Sequence, residues 1–223
     1  MEFSADKTII VMFDTEWYVP ENTRLLSVSS LKSNPLSPNN QYIGGVFYRF
    51  YPVRDNGQKL EKKEIFVNSA LPEDENQRLK ETCNYFKESW NLLEGKSDLN
   101  PDLITIGIGN SRFDLPSLYA RSVYLGIEEP KTLFETYLKT KCVDLSDVAI
   151  PYVNKNRPKL MYPVSTNTMI SRFGLKSERK ESGKAVWEMF EAGDFEGIRT
   201  RVRGEVMDIW KIYNKLISNI FSN

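Results

Sequence analysis

The sequence predicts one α/β domain, spanning residues 1–223, in which helices cover the faces of a mixed sheet. Two observations predict this fold class. Apolar, β-branched segments dominate the first third of the chain, whereas segments with helical spacing dominate the remainder. In addition, the 223 residues show no internal repeat and no linker that would divide them, and this length is sufficient for one full hydrophobic core.

Six segments have the apolar and β-branched composition of strands. The first runs from Thr8 to Phe13 and is followed directly by Asp14, which indicates a buried strand that ends in an acidic residue. A stretch rich in proline, asparagine and serine separates the second segment from the third, as in a long hairpin. The other five segments are Leu25–Leu31, Tyr42–Val53, Glu64–Asn68, Leu103–Ile108 and Cys142–Leu145.

Helical spacing and capping signals predict the helices. Asp114 followed by Leu115 and Pro116 is typical of a helix start. The last helix, from Ile198 to Ile220, repeats apolar residues at steps of four and three, which indicates one buried stripe. The predicted helices cover residues 72–94, 114–125, 131–139, 166–173, 183–191 and 198–220.

Composition excludes several classes of site. The chain has 30 lysine and arginine residues, 30 aspartate and glutamate residues and no histidine, so imidazole bases and histidine-bearing zinc sites are ruled out. Residues 1–150 hold 17 basic and 22 acidic side chains, and residues 151–223 hold 13 and 8, which leaves a basic C-terminal third that suits a polyanion. The sequence also lacks a signal peptide and an apolar span of about 18 residues, which predicts a cytoplasmic protein with no membrane partner.

Acidic residues stand at three points where the predicted elements end or meet the core. Asp14 and Glu16 occupy positions i and i+2, so alternation along a strand turns both carboxylates to one face. Asp114 follows the Gly109-Asn110 turn after a strand, and Asp208 borders the stripe of the last helix. Each acid alone is equally typical of a solvated strand end, an N-cap or a boundary residue. Together they would suit two hard divalent cations about 4 Å apart.

These residues carry a resemblance to a known family. Phe13-Asp14-Thr15-Glu16, Asn110-Ser111-Arg112-Phe113-Asp114-Leu115-Pro116 and a late Asp208 resemble the three motifs of DEDD-type 3′–5′ exonucleases, especially the proofreading domains of family B DNA polymerases and their stand-alone relatives. The resemblance implies an RNase H-like fold, with a mixed five-stranded sheet and helices on both faces. It also implies hydrolysis of single-stranded DNA or RNA by two Mg²⁺ or Mn²⁺ ions. The predicted catalytic residues and metal ligands are Asp14, Glu16, Asp114 and Asp208.

Three residues beside these acids are predicted to bind the substrate. Trp17 and Phe113 would stack on the terminal bases of a single strand, although each is also typical of a core aromatic. Asn110 is the third predicted substrate-binding residue. Arg201 and Lys211 lie seven residues before and three residues after Asp208, as phosphate contacts or as solvated charges.

The third motif departs from the family pattern, which places a Tyr four residues or a His five residues before the last Asp. Here Gly204 and Arg203 occupy those positions, so the general base is left open. Besides the exonuclease, two functions remain: a degenerate member that binds nucleic acid or a replication or repair partner, and a structure-specific endonuclease with the same carboxylates. The candidate bases are Tyr152, Tyr162, Lys184 and Glu205.

Overall fold

Five strands form one mixed sheet in the order β3-β2-β1-β4-β5 in the computed structural model of the protein. β1 pairs with β2, and β2 with β3, in antiparallel fashion, whereas β1–β4 and β4–β5 are parallel. The structure describes residues 8–26, 34–50, 61–66, 74–93, 102–153, 163–177 and 185–221. The strands are β1 (Thr8–Tyr18), β2 (Gln41–Phe50), β3 (Glu61–Phe66), β4 (Asp102–Gly107) and β5 (Lys141–Asp144). The predicted mixed five-stranded α/β sheet is confirmed.

In the described residues, helices lie in the connections β1–β2, β3–β4 and β4–β5 and in much of the C-terminal third. The segment Phe134–Leu138, which continues α4, is a π-helical turn. The longest helix, α9, ends the described chain. The helices are α1 (Glu21–Arg24), α2 (Glu75–Asn91), α3 (Asp114–Tyr124), α4 (Pro130–Leu133), α5 (Leu145–Val148), α6 (Ile150–Val153), α7 (Thr166–Arg172), α8 (Ala185–Glu191) and α9 (Phe195–Phe221).

The sheet separates two hydrophobic cores because successive side chains of a strand point to opposite faces. In β1, Ile9 and Val11 belong to the core that α2 and α3 cover, whereas Ile10 and Met12 belong to the core that α9 covers. The predicted stripe of α9 is buried in the second core from Ile198 to Ile209, with Val202 and Val206 fully inaccessible, whereas Ile220 at its end is 38% exposed. Helices on both faces are thus confirmed.

The first and second predicted strands differ most from the structure. β1 continues past Asp14 as far as Tyr18, because its backbone keeps pairing with β2 down to Gln41. The strand predicted at Leu25–Leu31 is wrong for the part that is described. A helical turn, in which the Pro20 carbonyl accepts hydrogen bonds from Thr23 and Arg24, ends just before Leu25, and Leu25 is 83% exposed. Residues 27–33 lie outside the described ranges.

None of the helices in the described part of the chain has the length and apolar character needed to cross a bilayer.

Candidate active site

A cleft lies at the edge of the sheet where the parallel strands β1 and β4 leave their paired region. The two strands are parallel, so the residues that follow their paired portions meet there, as ligand-binding residues do in other open α/β sheets. Helices α3, α7 and α9 close the sides. The cleft has a volume of about 260 Å³, and its described lining is Asp14, Thr15, Glu16, Ile108, Gly109, Phe113, Asp114, Thr166, Arg201 and Glu205.

Three carboxylates converge in this cleft. Asp14, Glu16 and Glu205 each present one carboxylate oxygen, and these oxygens lie within 4.8 Å of one another. Alternation along β1 turns Asp14 and Glu16 toward the face that α9 covers, and α9 brings Glu205 from the opposite side. The predicted proximity of Asp14 and Glu16 is therefore observed, but the third member of the cluster comes from a position that the motif did not assign.

Asp114 is the fourth carboxylate of the cleft. It is the first residue of α3, one position after the N-cap residue Phe113. The Thr15 hydroxyl donates a short hydrogen bond to Asp114 Oδ1. The indole N–H of Trp17 in turn donates to Thr15 Oγ1 over 3.2 Å. This chain of hydrogen bonds holds Asp114 against β1, so its position reflects the cleft and not helix capping.

Crowding of these acids makes the ionised cleft electrostatically costly. Burial, followed by the charges of Glu205, Asp114 and Glu16, raises the pKa of Asp14 well above its ordinary value. Burial and then Glu205 raise the pKa of Glu16, against the opposing influence of Arg201. Burial is also the main cause that raises the pKa of Asp114, to about 7. A bound cation would relieve this repulsion.

Asp208 does not line the cleft. Its side chain is fully inaccessible, and the Ser177 hydroxyl donates to its Oδ2 over 2.6 Å. On α9 it lies three residues beyond Glu205, which displaces it about 4.5 Å along the axis and about 60° around it. That displacement is enough to direct one carboxylate toward β1 and the other toward the segment after α7.

Arg201 extends into the acidic cluster from one turn before Glu205. Its Nη1 and Nη2 donate to the two oxygens of Glu205 over 2.8 and 2.9 Å, and Nη1 also donates a short hydrogen bond to Glu16 Oε1. The Arg201 side chain is only 4% exposed. It is therefore a buried partner of the cluster and not a solvated charge. Lys211, by contrast, donates to the Lys176 carbonyl.

The predicted substrate-binding residues have different environments. Phe113 lines the cleft and is half-buried, so it is placed where a base could stack on it. Trp17 is only 7% exposed and packs against Tyr42 and Phe113 in the core, away from the described lining of the cleft. Asn110 is fully buried, and its amide has no hydrogen-bond partner among the described residues.

The positions considered for a general base are also separated by the structure. Arg203 lies off the cleft and forms a two-pronged ion pair with Glu64 of β3, over 2.7 and 2.6 Å. Tyr152 lies on α6 and is not part of the described lining. Tyr162 and Lys184 lie outside the described residues. Glu205, the remaining candidate, belongs to the carboxylate cluster.

Sequence reasoning did not recognise the joint role of Arg201 and Glu205. The signal for it is their spacing: an Arg and a Glu at i and i+4 share one side of a helix, here along the border of the apolar stripe. The spacing alone predicts an ordinary surface pair. What distinguishes it is burial against β1, which no local pattern in α9 reveals.

No protein-family model matches the chain, and no curated protein matches it in sequence. Solved structures of exonuclease I match the chain in structural comparison. One covers 95% of this chain with 13% identity and a TM-score of 0.47. A zinc-bound complex of E. coli exonuclease I with single-stranded DNA covers 96% with 12% identity and a TM-score of 0.49. A product-bound exonuclease I covers 97% with 13% identity and a TM-score of 0.44.

This chain spans 41%, 41% and 46% of the length of those three structures, so it corresponds to less than half of each. The neighbours are exonucleases, the class that the acidic motifs resemble.

Proposed function

We propose that this protein is a divalent-metal-dependent 3′–5′ exonuclease that hydrolyses single-stranded DNA. The observation that carries the proposal is the convergence of Asp14, Glu16 and Glu205 within 4.8 Å, with Asp114 in the same cleft. The direction of hydrolysis and the substrate class are taken from the resemblance of the motif that ends in Asp114-Leu115-Pro116.

The donor set of the cleft fits Mg²⁺ or Mn²⁺. Carboxylate oxygens are the hard ligands that these ions prefer, and the described lining of the cleft holds no thiol or thioether sulfur. Burial and the acidic neighbours raise the pKa of Asp14, so a bound cation would favour the ionised form of this carboxyl. A bound divalent ion supplies Lewis-acid chemistry for phosphodiester hydrolysis.

The residues of the chain would bind and orient the reactants. Asp14 and Asp114 would hold the ion, since Thr15 and Trp17 fix the Asp114 carboxylate against β1. Phe113, half-buried at the rim, would support the terminal base by stacking, an interaction that tolerates any sequence. Gly109 would let the sugar-phosphate backbone of the single-stranded nucleic acid approach closely, because the space next to its Cα is open within 4 Å and it has no side chain to fill it. Its φ of +81° also favours glycine.

The test is a nuclease assay in Mn²⁺ and in Mg²⁺ with oligonucleotides labelled at either end. We expect shortening from the 3′ end, and a loss of at least about 100-fold in Asp14→Asn and Glu205→Gln, because the first removes a ligand of the ion and the second removes the carboxylate that pairs with Arg201 beside it. Asp208→Asn is the matched control, from the same helix and also an acid. It should keep activity within about threefold, because its side chain accepts a hydrogen bond from Ser177 outside the cleft.

Equal activity in the wild type, Asp14→Asn and Glu205→Gln would overturn the assignment. Loss of activity in Asp208→Asn, with full activity in Glu205→Gln, would show that Asp208 and not Glu205 is the fourth carboxylate of the active site. Cutting of a circular single strand would replace the exonuclease with an endonuclease that uses the same acids.

A second candidate function is binding of single strands without hydrolysis. The observation that favours it is Arg201, which already pairs with two of the acids and occupies the helical position one turn before Glu205. Retention of labelled strands with no turnover in Mg²⁺ or Mn²⁺ would support this candidate against the exonuclease.

A further inference from the structure

Arg201 is the only basic residue in the described lining of a cleft that holds four carboxylates. Its guanidinium uses two nitrogens on three carboxylate oxygens: one of Glu16 and both of Glu205. Its Nε–H is buried and has no partner among the described residues. A buried charge this well paired indicates a fixed component of the site, since an unpaired guanidinium would be costly to bury.

The four acids therefore fall into two pairs with different neighbours. Glu16 and Glu205 are joined by Arg201, whereas Asp14 and Asp114 contact no described cation. Asp114 is held instead by the Thr15 hydroxyl. Asp14 also presents an oxygen within 4.8 Å of one oxygen each of Glu16 and Glu205, so it lies next to the other pair.

Charge and ligand counting limit what else the cleft can hold. Four ionised carboxylates and one guanidinium carry a net charge of about −3, so one divalent ion leaves about −1 and a second leaves about +1. A second ion would also have to compete with Arg201 for the inward lone pairs of Glu16 and Glu205. This competition, and not the charge balance, favours a single ion.

We propose that Arg201 occupies the second cation position of this cleft, so that the protein binds one divalent ion, held by Asp14 and Asp114, in place of two. The inference rests on the proposed function in so far as the site binds metal. It makes Arg201 a positioning residue that pairs with Glu16 and Glu205 and fixes them beside the ion.

The first experiment measures how many Mn²⁺ ions the full chain binds, by calorimetric titration and by electron paramagnetic resonance of the free ion. We expect one ion per wild-type chain and two per Arg201→Gln chain, the second bound at least about tenfold more tightly than any second ion in the wild type. Arg203→Gln is the matched control from the same helix. It should bind one ion, because Arg203 pairs with Glu64 and Glu196 away from the cleft.

Two ions in the wild type, or one ion in both the wild type and Arg201→Gln, would overturn the proposal. A second measurement needs no variant and covers the case in which Arg201→Gln does not fold. Crystals of the wild type soaked in Mn²⁺ should show one anomalous peak beside Asp14 and Asp114, with Arg201 still on Glu205. Two peaks, or one peak that displaces Arg201, would contradict it.

These measurements are independent of turnover. One bound ion without any nuclease activity would leave the role of Arg201 intact while removing the proposed function. Hydrolysis with two bound ions would do the reverse.

Discussion

At the scale of a single residue, Asp144 holds the turn that leads into the site. It ends β5 and accepts hydrogen bonds from the Gly109 N–H over 2.9 Å, from the Ser111 hydroxyl over 2.7 Å and from the Ser146 hydroxyl over 2.6 Å. These bonds tie the turn between β4 and α3 to the neighbouring strand. The turn leads directly into Asp114, so Asp144 determines where that carboxylate enters the cleft.

Replacing Asp144 by Asn should destabilise the fold by about 1–3 kcal/mol at pH 7, because an amide cannot accept all of these hydrogen bonds. Burial alone would raise the pKa of Asp144, but the bonds from Ser146, Gly109 and Ser111 lower it below the ordinary value. A lowered pKa means that the carboxylate stabilises the fold above about pH 4 and loses this effect as the pH falls through the native pKa.

The measurement is urea denaturation of both proteins at pH 7, 5 and 3, and the difference should shrink at pH 3. Asp147→Asn is the control, because its exposed carboxylate pairs with Arg112 at the surface and should contribute less than about 1 kcal/mol. A difference that stays constant down to pH 3 would show that the Asp144 charge is not the cause.

At the scale of elements, β2 shapes the strand that carries the acids. The pairing of β1 with β2 shifts register between Glu16 and Trp17, so that Ile43 is the extra residue of a bulge. Gly44 stands opposite Glu16 with a φ of +148°, and a Cβ there would lie 1.9 Å from the Ile65 carbonyl of β3. Glycine thus allows three strands to stay close where Glu16 turns toward the cleft.

We expect Gly44→Ala to cost more than about 2 kcal/mol, since it adds a backbone clash to an unfavourable φ. Gly126→Ala is the matched control. Gly126 also has a positive φ, of +64°, but nothing lies within 4 Å of its Cβ position, so only the conformational cost of about 1 kcal/mol applies. Thermal and chemical denaturation measure the loss in the free energy of unfolding for both variants. Equal losses would mean that the clash with β3 is relieved by a small shift.

At the scale of the whole molecule, the sheet holds two cores that share β1. Ile9 is fully buried on the face that α2 and α3 cover, and Ile212 of α9 is fully buried on the other. Because one strand contributes to both cores, loss of packing on either face should weaken the other. The chain is therefore expected to unfold as one cooperative domain.

Ile9→Val and Ile212→Val should each cost about 0.5–1.5 kcal/mol, and the double variant should show their sum within about 0.5 kcal/mol, since the residues lie on opposite faces. All three should lower one common unfolding transition, followed by circular dichroism and tryptophan fluorescence. Two transitions, each sensitive to only one substitution, would contradict a single domain.

Local sequence patterns determined the elements that carry three of the four carboxylates. An apolar run followed by acids at i and i+2 was enough to place Asp14 and Glu16 on one face of a strand, because strand alternation is a local property. A strand, a Gly-Asn turn and a helix start likewise placed Asp114. The mixed sheet followed from the order of strand-like and helix-like segments, and it is observed.

Only the tertiary structure decided which acid of α9 lies beside the carboxylates of the sheet. Glu205 and Asp208 border the same apolar stripe, and helical periodicity treats them alike. Their roles depend on how far α9 is advanced along β1, a long-range packing relation that directs Glu205 and Arg201 into the cleft and turns Asp208 toward Ser177. Burial likewise made Trp17 a core residue, since its indole completes the contacts of Tyr42. The sequence determined the carboxylates of the sheet, and helix packing determined their partners.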